Sequence, residues 1–367
     1  MLEYDDSKVL NLENKTIKNF DFENIKRLYL KNCKIENIKN LNTLKKIEMI
    51  DFDNVDIENI KFFKYCNSLK YLQIKNMNKL KSLEGLSYAK NLRELEISKL
   101  KNLKDLRFLE KLEHLELLKL SDLEDIDISI LNKELKLNQT LINLELENIN
   151  KNKFINLSNM IALERLRIRN LIDLEGILLN IFTEDIGFYN LHNLKSIDVK
   201  SGIEEDFIEE DEYFFDPNDV SYIFDNINVE EFYFLDKYHS RVGLEFRNMN
   251  IIDFLKFGMK FKCDDLTIEN SKVKNLSVIN TFAPLNYLTL DNLDWDIFNF
   301  DGIDLHMTCV EITNMKNLKK LNLNVKKIEN LRIFNCNKLK FINQEIPLKN
   351  NIEKIYVDDK RIRNKDK

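Results

Sequence analysis

The chain of 367 residues is poor in residues that interrupt regular structure, with only 7 Gly and 3 Pro. This low glycine and proline content excludes collagen-like and linker-rich architectures. Hydrophobic residues make up 44% of the chain, which excludes a disordered polypeptide and leaves ample apolar material for a core. The chain is therefore expected to fold.

An excess of charge of one sign is also lacking, because 56 Lys and Arg stand against 62 Asp and Glu. This balance gives no general attraction for nucleic acid or for anionic lipid, so neither is expected as a partner. No apolar run reaches the roughly 18 residues that a membrane-spanning helix needs, and no signal-peptide pattern is visible. The sequence predicts a cytoplasmic protein, with non-classical secretion left open.

Residue groupings that carry catalysis are missing as well. The 4 histidines and 5 scattered cysteines show no zinc-binding spacing, and the odd number of cysteines indicates no disulfide framework. No glycine-rich phosphate loop and no Gly-x-Ser-x-Gly element occurs. The sequence therefore predicts a non-enzymatic protein with no cofactor and no metal.

What the sequence does contain is a short recurring pattern, apolar-x-apolar-x-Asn, as in Leu72-Gln-Ile74-Lys-Asn76. Its copies begin at Leu10, Leu28, Leu72, Leu144, Leu166, Leu244, Leu266, Leu288, Val310 and Leu331. Copies without the Asn begin at Ile47, Leu95, Leu115, Ile197, Phe232 and Ile355. Leucines then follow at every third residue, as at Leu80, Leu83 and Leu86, which is the period of a 3₁₀ turn.

This pattern resembles the leucine-rich repeat consensus Leu-x-x-Leu-x-Leu-x-x-(Asn/Cys)-x-Leu, with short repeats of about 22 residues. The resemblance implies an α/β solenoid, a leucine-rich repeat horseshoe with about 16 parallel strands on its concave side. The convex side would hold mostly 3₁₀, irregular or short helical segments. We expect a single solenoid over residues 1–367, with repeats at about 10–362 and a basic tail at 363–367.

The chain departs from that family consensus at one position. Its Asn stands one place before the family's Asn/Cys position, which holds Cys33, Met77 and Leu171 instead. Whether the displaced Asn side chains turn inward and form a hydrogen-bonded ladder stays open at this point.

Side chains alternate along a strand, so the residues beside each apolar pair are expected on the concave face. There they could contact a protein partner. The candidate partner-binding residues are Tyr29, Tyr71, Glu94, Glu96, His114, Glu116, Glu145, Glu147, Arg165, Arg167, Arg169, Tyr233, Glu245 and Tyr287. The three arginines either grip carboxylates or phosphates of a partner, or pair with Glu145 and Glu147 of the preceding strand.

The repeat pattern is interrupted at about 201–219, a segment with nine acidic residues and no basic one. The segment is either a docking element or a tolerated surface insertion. Its candidate contact residues are Phe207, Tyr213, Phe214 and Phe215.

Together these features predict a non-enzymatic scaffold for protein–protein interaction that recognises a protein on its concave face. The alternative is a regulatory subunit or effector-type leucine-rich repeat protein that uses the acidic and aromatic insertion to modulate a partner enzyme. The identity of the partner and the oligomeric state stay open.

Overall fold

The computed structural model describes residues 8–18, 25–36, 41–123, 126–133, 136–180, 183–200, 220–227, 242–256, 263–281, 285–299, 306–322, 326–339, 352–358 and 360–362. The chain forms two compact units. Unit 1 comprises Met1–Thr183 and Lys200–Gly202, and unit 2 comprises Glu184–Val199 and Ile203–Lys367. The acidic insertion and the basic tail lie outside the described residues.

Unit 1 contains a run of eight parallel main-sheet strands, each of which pairs with the strand one turn further along. They are β1 (Val9–Glu13), β2 (Arg27–Lys31), β3 (Met49–Asp53), β4 (Tyr71–Lys75), β5 (Glu94–Ser98), β6 (Leu117–Ser121), β7 (Asn143–Glu147) and β8 (Arg165–Arg169). Shorter parallel pairs join Thr16–Ile17 to Lys34–Ile35 and Phe154–Asn156 to Gly176–Asn180.

Unit 2 contains a second run of eight parallel main-sheet strands. They are β9 (Asp185–Tyr189), β10 (Val220–Asp225), β11 (Val242–Arg247), β12 (Cys263–Glu269), β13 (Tyr287–Asp291), β14 (His306–Thr313), β15 (Lys327–Phe334) and β16 (Ile352–Val357). A ninth strand, β17 (Lys360–Ile362), pairs with β16 in the antiparallel direction. Shorter parallel pairs join Ile252–Asp253 to Val273–Lys274 and Ile297–Asn299 to Lys320–Asn322.

The return segments between main-sheet strands are short 3₁₀ helices and turns, and the described residues include no α-helix. The 3₁₀ helices are Leu41–Lys46, Lys61–Tyr65, Glu84–Tyr88, Arg107–Lys111, Ser129–Asn132, Lys136–Gln139, Phe254–Lys256 and Leu276–Thr281. This arrangement confirms the expected solenoid of about 16 parallel strands with 3₁₀ return segments.

The turn that begins at β4 shows why the leucine spacing gives this fold. Leu72 and Ile74 point to the same side of the strand and are fully buried. Met77, Leu80, Leu83 and Leu86 follow at intervals of three and are also buried. Since each buried side chain of this size contributes roughly 1.5–3 kcal/mol, one turn gains most of its stability by packing against its neighbours.

One glycine marks a close approach between neighbouring turns. Gly85 lies in the 3₁₀ helix Glu84–Tyr88 and packs against the backbone of Ile60 in the preceding turn. A β-carbon at position 85 would lie 2.7 Å from the Ile60 carbonyl carbon and closer still to its oxygen. This spacing between turns therefore requires glycine.

Part of the unit 2 core is aromatic. The Phe224 ring stacks with Phe188 on one side and Phe246 on the other, at centroid distances of 5.9 and 5.2 Å. Tyr222 lies beside Phe224 and is fully buried. Aromatic residues thus occupy the positions that leucine and isoleucine hold elsewhere.

Three repeat starts inferred from the sequence are wrong. The buried pair near Ile47 is Ile50 and Phe52, and the buried pair near Leu115 is Leu118 and Leu120. The strand Ser196–Lys200, which contains Ile197, does not belong to the main sheet. The main-sheet strand of that turn is β9.

The expected repeat at Phe232 lies outside the described residues. The described strand in that region is β10, whose buried pair is Tyr222 and Phe224. Tyr222 pairs in register with Leu244, so the interval of 22 residues is kept there.

Candidate functional site: the open sheet face

Each main-sheet strand presents three side chains on one surface of its sheet, which we call the open face. In β13 these are Tyr287, Thr289 and Asp291, which flank the buried Leu288 and Leu290. We call them the first, middle and last face positions. Because the register between neighbouring strands is regular, equivalent positions form three rows across the strands of each unit.

Each strand ends in a left-handed residue. Among the described residues, all sixteen parallel main-sheet strands are followed by this conformation, with φ between 43° and 57°. Thirteen of these residues are Asn, and the other three are Lys99, Asp122 and Asp358. Asn tolerates this conformation better than most residues, which accounts for its recurrence in the sequence pattern.

The Asn side chains form ladders on the outside of the core. Asn54 Nδ2 donates to Asn32 Oδ1 at 2.8 Å, and Asn170 Nδ2 donates to Asn148 Oδ1 at 2.8 Å. The next residue, at the family's Asn/Cys position, is the one that turns inward, and Cys33 there is buried. The inward ladder that the sequence left open is therefore not formed by these Asn side chains.

On the open face of unit 1, the sign of the charge alternates from strand to strand. Carboxylates occupy β1, β3, β5 and β7, whereas lysines and arginines occupy β2, β4, β6 and β8. The charged face residues in strand order are Glu13, Arg27 and Lys31, Asp51 and Asp53, Lys75, Glu94 and Glu96, Lys119, Glu145 and Glu147, and Arg165, Arg167 and Arg169.

This alternation places opposite charges side by side in neighbouring strands. The Lys31 ammonium lies 3.1 Å from Glu13, and the Lys119 ammonium lies 3.0 Å from Glu145. Cross-strand pairs of this kind stabilise a sheet by roughly 0.2–1 kcal/mol each. Much of the charge on this face is therefore balanced within the chain.

A polar cluster occupies the open face at β3, β4 and β5. The Tyr71 hydroxyl donates to Glu96 at 3.2 Å, and Gln73 Nε2 donates to the other Glu96 oxygen at 2.6 Å. Burial, followed by the charge of Glu96, raises the pKa of the Tyr71 hydroxyl. Burial also raises the pKa of the Asp51 carboxyl, whose buried Oδ1 has no hydrogen-bond partner among the described residues.

The three arginines of β8 form a stripe next to the acidic strand β7. Arg167 stands beside Glu145 in the register, and Arg169 stands beside Glu147. The guanidinium of Arg169 lies 3.8 Å from the carboxylate of Glu145, and Arg165 Nη1 donates to Asn143 Oδ1 at 3.3 Å. Arg165 and Arg169 thus contact the preceding strand β7, Arg167 donates to the Leu166 carbonyl of its own strand, and all three line the open face.

The open face of unit 2 is mainly acidic. Across β9 to β14, its face positions hold seven carboxylates and one guanidinium, that of Arg247. The carboxylates are Asp185, Asp225, Glu245, Asp265, Glu269, Asp291 and Glu311. Arg247 Nε donates to Glu245 at 2.6 Å, and this contact helps to raise the pKa of its guanidinium although burial opposes the shift.

Three features occur together in this chain: parallel strands in successive turns, an interval of about 22 residues, and buried apolar residues at intervals of three in return segments such as Met77 to Leu86. The chain has the leucine-rich repeat fold. No protein-family model matches it, and no curated protein matches it.

Several solved leucine-rich repeat structures are similar to the chain. An internalin from Listeria monocytogenes has 13% sequence identity, a TM-score of 0.43, and coverage of 92% of this chain and 87% of its own. A leucine-rich repeat protein from Leptospira interrogans has 15% identity, a TM-score of 0.37, and coverage of 86% and 90%. A plant peptide hormone receptor has 12% identity, a TM-score of 0.34, and coverage of 95% and 79%.

Most of the candidate residues named from the sequence lie at face positions of the leucine-rich repeat strands. In unit 1 these are Tyr29, Tyr71, Glu94, Glu96, Glu145, Glu147, Arg165, Arg167 and Arg169. In unit 2 they are Glu245 and Tyr287. Tyr233, Phe207, Tyr213, Phe214 and Phe215 lie outside the described residues.

The expectation that His114 and Glu116 lie on the open face is wrong. Strand β6 begins at Leu117, so both residues precede it, and Glu116 forms an ion pair with Arg93. The sequence offered two successive leucine pairs in this region, Leu115 with Leu117 and Leu118 with Leu120. Leu118 and Leu120 are the buried pair of the strand, and Leu117 and Lys119 occupy the first two face positions.

Sequence reasoning also missed face residues on β3, β9 and β10. The pattern was present in Ile50-Asp-Phe52-Asp-Asn54, Ile186-Gly-Phe188-Tyr-Asn190 and Tyr222-Ile-Phe224-Asp-Asn226. Each of these copies has an aromatic residue at the second apolar position, and the Asn two places later could have identified all three.

Three of the described thiols, those of Cys66, Cys309 and Cys336, are not poised for nucleophilic chemistry. Burial raises the pKa of Cys66 to about 12, and it also raises the pKa of Cys309 and of Cys336. Since the thiolate is the nucleophile, these groups stay protonated near neutral pH.

Within the described ranges, no group of three or more His, Cys, Asp and Glu side chains is arranged to hold a metal ion. No helix in the same ranges is long and apolar enough to cross a bilayer.

Proposed function

We propose that the open face of this leucine-rich repeat protein recognises a protein partner and performs no chemistry of its own. The observation that carries the proposal is the contrast between the core, which repeats apolar residues turn after turn, and the open face, which varies in charge and chemistry. Unit 1 presents alternating charge with Tyr29 and Tyr71, and unit 2 presents carboxylates with Tyr287.

The backbone of the face is well suited to binding. Neighbouring strands in each unit are joined by backbone hydrogen bonds of parallel pairing, so the side chains at the face positions project from a rigid frame. Preformed surfaces of this kind lose little conformational freedom on binding. Tyrosine and arginine, which occur at several face positions, are enriched among the residues that dominate interface energies.

The proposal is tested by using four forms of this protein as bait in cell lysate. The proteins that each form retains are identified by mass spectrometry. The four forms are the wild type, a unit 1 face variant (R165E, R167E, R169E), a unit 2 face variant (T267K, T289K), and a return-segment control (K90E, K101E, K111E). The control makes the same change of charge as the unit 1 variant, at residues that are exposed away from the face.

We expect a protein that is retained by the wild type and the control but lost with at least one face variant. Circular dichroism should show that all four proteins keep the same fold. If no captured protein depends on the face residues, or if binding is lost only with the return-segment control, the proposal is wrong.

A further inference from the structure

We propose that the open face at β12, β13 and β14 binds a lysine- or arginine-rich segment of a protein partner. We call this surface the acidic window and define it by Asp265, Glu269, Tyr287, Asp291 and Glu311. The inference rests on the proposed function, because it specifies which part of the open face binds and what chemistry the partner has.

The acidic window carries negative charge. The nine face positions of these three strands hold four carboxylates and no lysine or arginine. The nearest arginines on the face stand at its borders, where Arg247 lies 3.7 Å from Glu269 and Arg332 lies 3.9 Å from Glu311. Even with both arginines and Glu245 counted, carboxylates outnumber cations by five to two over β11 to β15.

The distribution of charged residues in the acidic window differs from that on the open face of unit 1. There each acidic strand lies next to a strand with lysine or arginine, and ion pairs such as Lys119 with Glu145 balance the charge locally. In the acidic window, three acidic strands follow one another without an intervening cationic strand. A basic partner would supply the charge that unit 1 supplies from its own sequence.

The acidic window also contains an exposed aromatic residue, Tyr287. Its side chain stands at the first face position of β13 and is 46% exposed, whereas a phenol ring of this size is usually more covered. Asp265 is its direct neighbour in the register, and Asp291 lies two face positions along the same strand. An exposed ring beside the Asp265 carboxylate fits a lysine or arginine side chain, which can lie over the ring and pair with a carboxylate.

The middle face positions of the window are suited to an extended segment. Thr267 and Thr289 lie side by side there and are half-buried. Their side chains are uncharged, and their hydroxyl groups can donate and accept hydrogen bonds. An extended basic peptide could therefore pass over the threonines with its cations near the flanking carboxylates.

The test measures the anisotropy of a short fluorescein-labelled oligolysine peptide on titration with the full-length protein. An oligoglutamate peptide of equal length serves as the negative probe. The window variant T267K, T289K places two ammonium groups in the centre of the window without removing a carboxylate. The matched control N11K, S98K makes the same change of net charge on the open face of unit 1.

We expect oligolysine to bind, oligoglutamate not to bind, and affinity for oligolysine to fall with added salt. The window variant should weaken oligolysine binding by about tenfold or more, and the unit 1 control should weaken it by less than about threefold. Equal loss with both variants would show binding by net charge alone and would overturn the inference, as would absence of oligolysine binding.

The capture experiment separates this inference from the proposed function. If oligolysine does not bind but a protein is still lost with a face variant, the partner class is wrong and recognition by the open face stands. If no protein depends on the face, the proposed function itself fails.

Discussion

At the scale of single residues, the left-handed position after each strand explains the most regular feature of the sequence. The position is filled by Asn in thirteen of sixteen described turns. A residue with a β-carbon and no compensating side chain is strained there by about 1 kcal/mol or more. The Asn side chain also donates to the neighbouring turn, so one residue both sets the backbone and links adjacent repeats.

Two neighbouring asparagines allow a matched test of this role. Asn314 has φ of 52° and donates to Asp291 at 2.7 Å. Asn317 donates to Asp294, also at 2.7 Å, but is not in the left-handed conformation. We expect N314A to lower the free energy of unfolding by about 1–2 kcal/mol and N317A to lower it by less than about 0.5 kcal/mol.

The measurement is urea unfolding followed by circular dichroism, with the midpoint and slope compared for each variant. N314G should be less destabilised than N314A, because glycine adopts positive φ without strain. Equal destabilisation by N314A and N317A would mean that the hydrogen bond, and not the backbone conformation, sets the choice of Asn.

The sequence alone predicted that Asn recurs, but not what it does. Its place in the pattern was visible, whereas its conformation depends on where the strand ends. That end is set by backbone hydrogen bonds to the next turn, such as the bond from the Asn32 amide to the Asp53 carbonyl at 2.9 Å. Lys99, Asp122 and Asp358 occupy the same position, so a search for Asn misses those turns.

At the scale of elements, the return segments constrain the chain as strongly as the strands do. Gly85 lets the 3₁₀ helix Glu84–Tyr88 approach Ile60 of the turn before it. We expect G85A to lower the free energy of unfolding by about 1–3 kcal/mol, because the added methyl group overlaps rigid backbone atoms. Urea unfolding of the purified variant measures the loss.

Gly243 provides the control for that substitution. A β-carbon at position 243, the first face position of β11, would have its nearest neighbour at 3.8 Å. G243A should therefore change the stability by no more than about 0.5 kcal/mol. A comparable loss for both variants would show that the cost of G85A does not arise from contact with Ile60.

The placement of the strands shows how far sequence reasoning reaches at this scale. Strands with Leu or Ile at both buried positions, such as β4 and β8, were located correctly. Errors arose where two leucine pairs followed each other, as at β6, and where aromatic residues replaced leucine at the buried positions, as in β9 and β10. Packing decides these cases, because either register satisfies a pattern of apolar residues and only one of them aligns with the neighbouring turns.

At the scale of the whole chain, charge differs between the open faces of the two units. The strand-by-strand alternation in unit 1 could have been read from the sequence only with the correct register of β3 and β6. The misplaced starts at Ile47 and Leu115 concealed Asp51, Asp53 and Lys119. Once these residues are placed, the face positions of unit 1 hold equal numbers of carboxylates and cations, whereas those of the acidic window in unit 2 hold only carboxylates among their charged residues.

The measurement that tests the account most directly is hydroxyl-radical footprinting of tyrosines in the complex with the captured protein. Tyr287 on the open face is 46% exposed, and Tyr88 on a return segment is 57% exposed, so both react in the unbound protein. If the open face recognises the partner, at least one of Tyr29, Tyr71 and Tyr287 loses reactivity while Tyr88 keeps it. Occupation of the acidic window requires that Tyr287 be among those protected. Protection of Tyr88 with no change at the three face tyrosines would contradict the account.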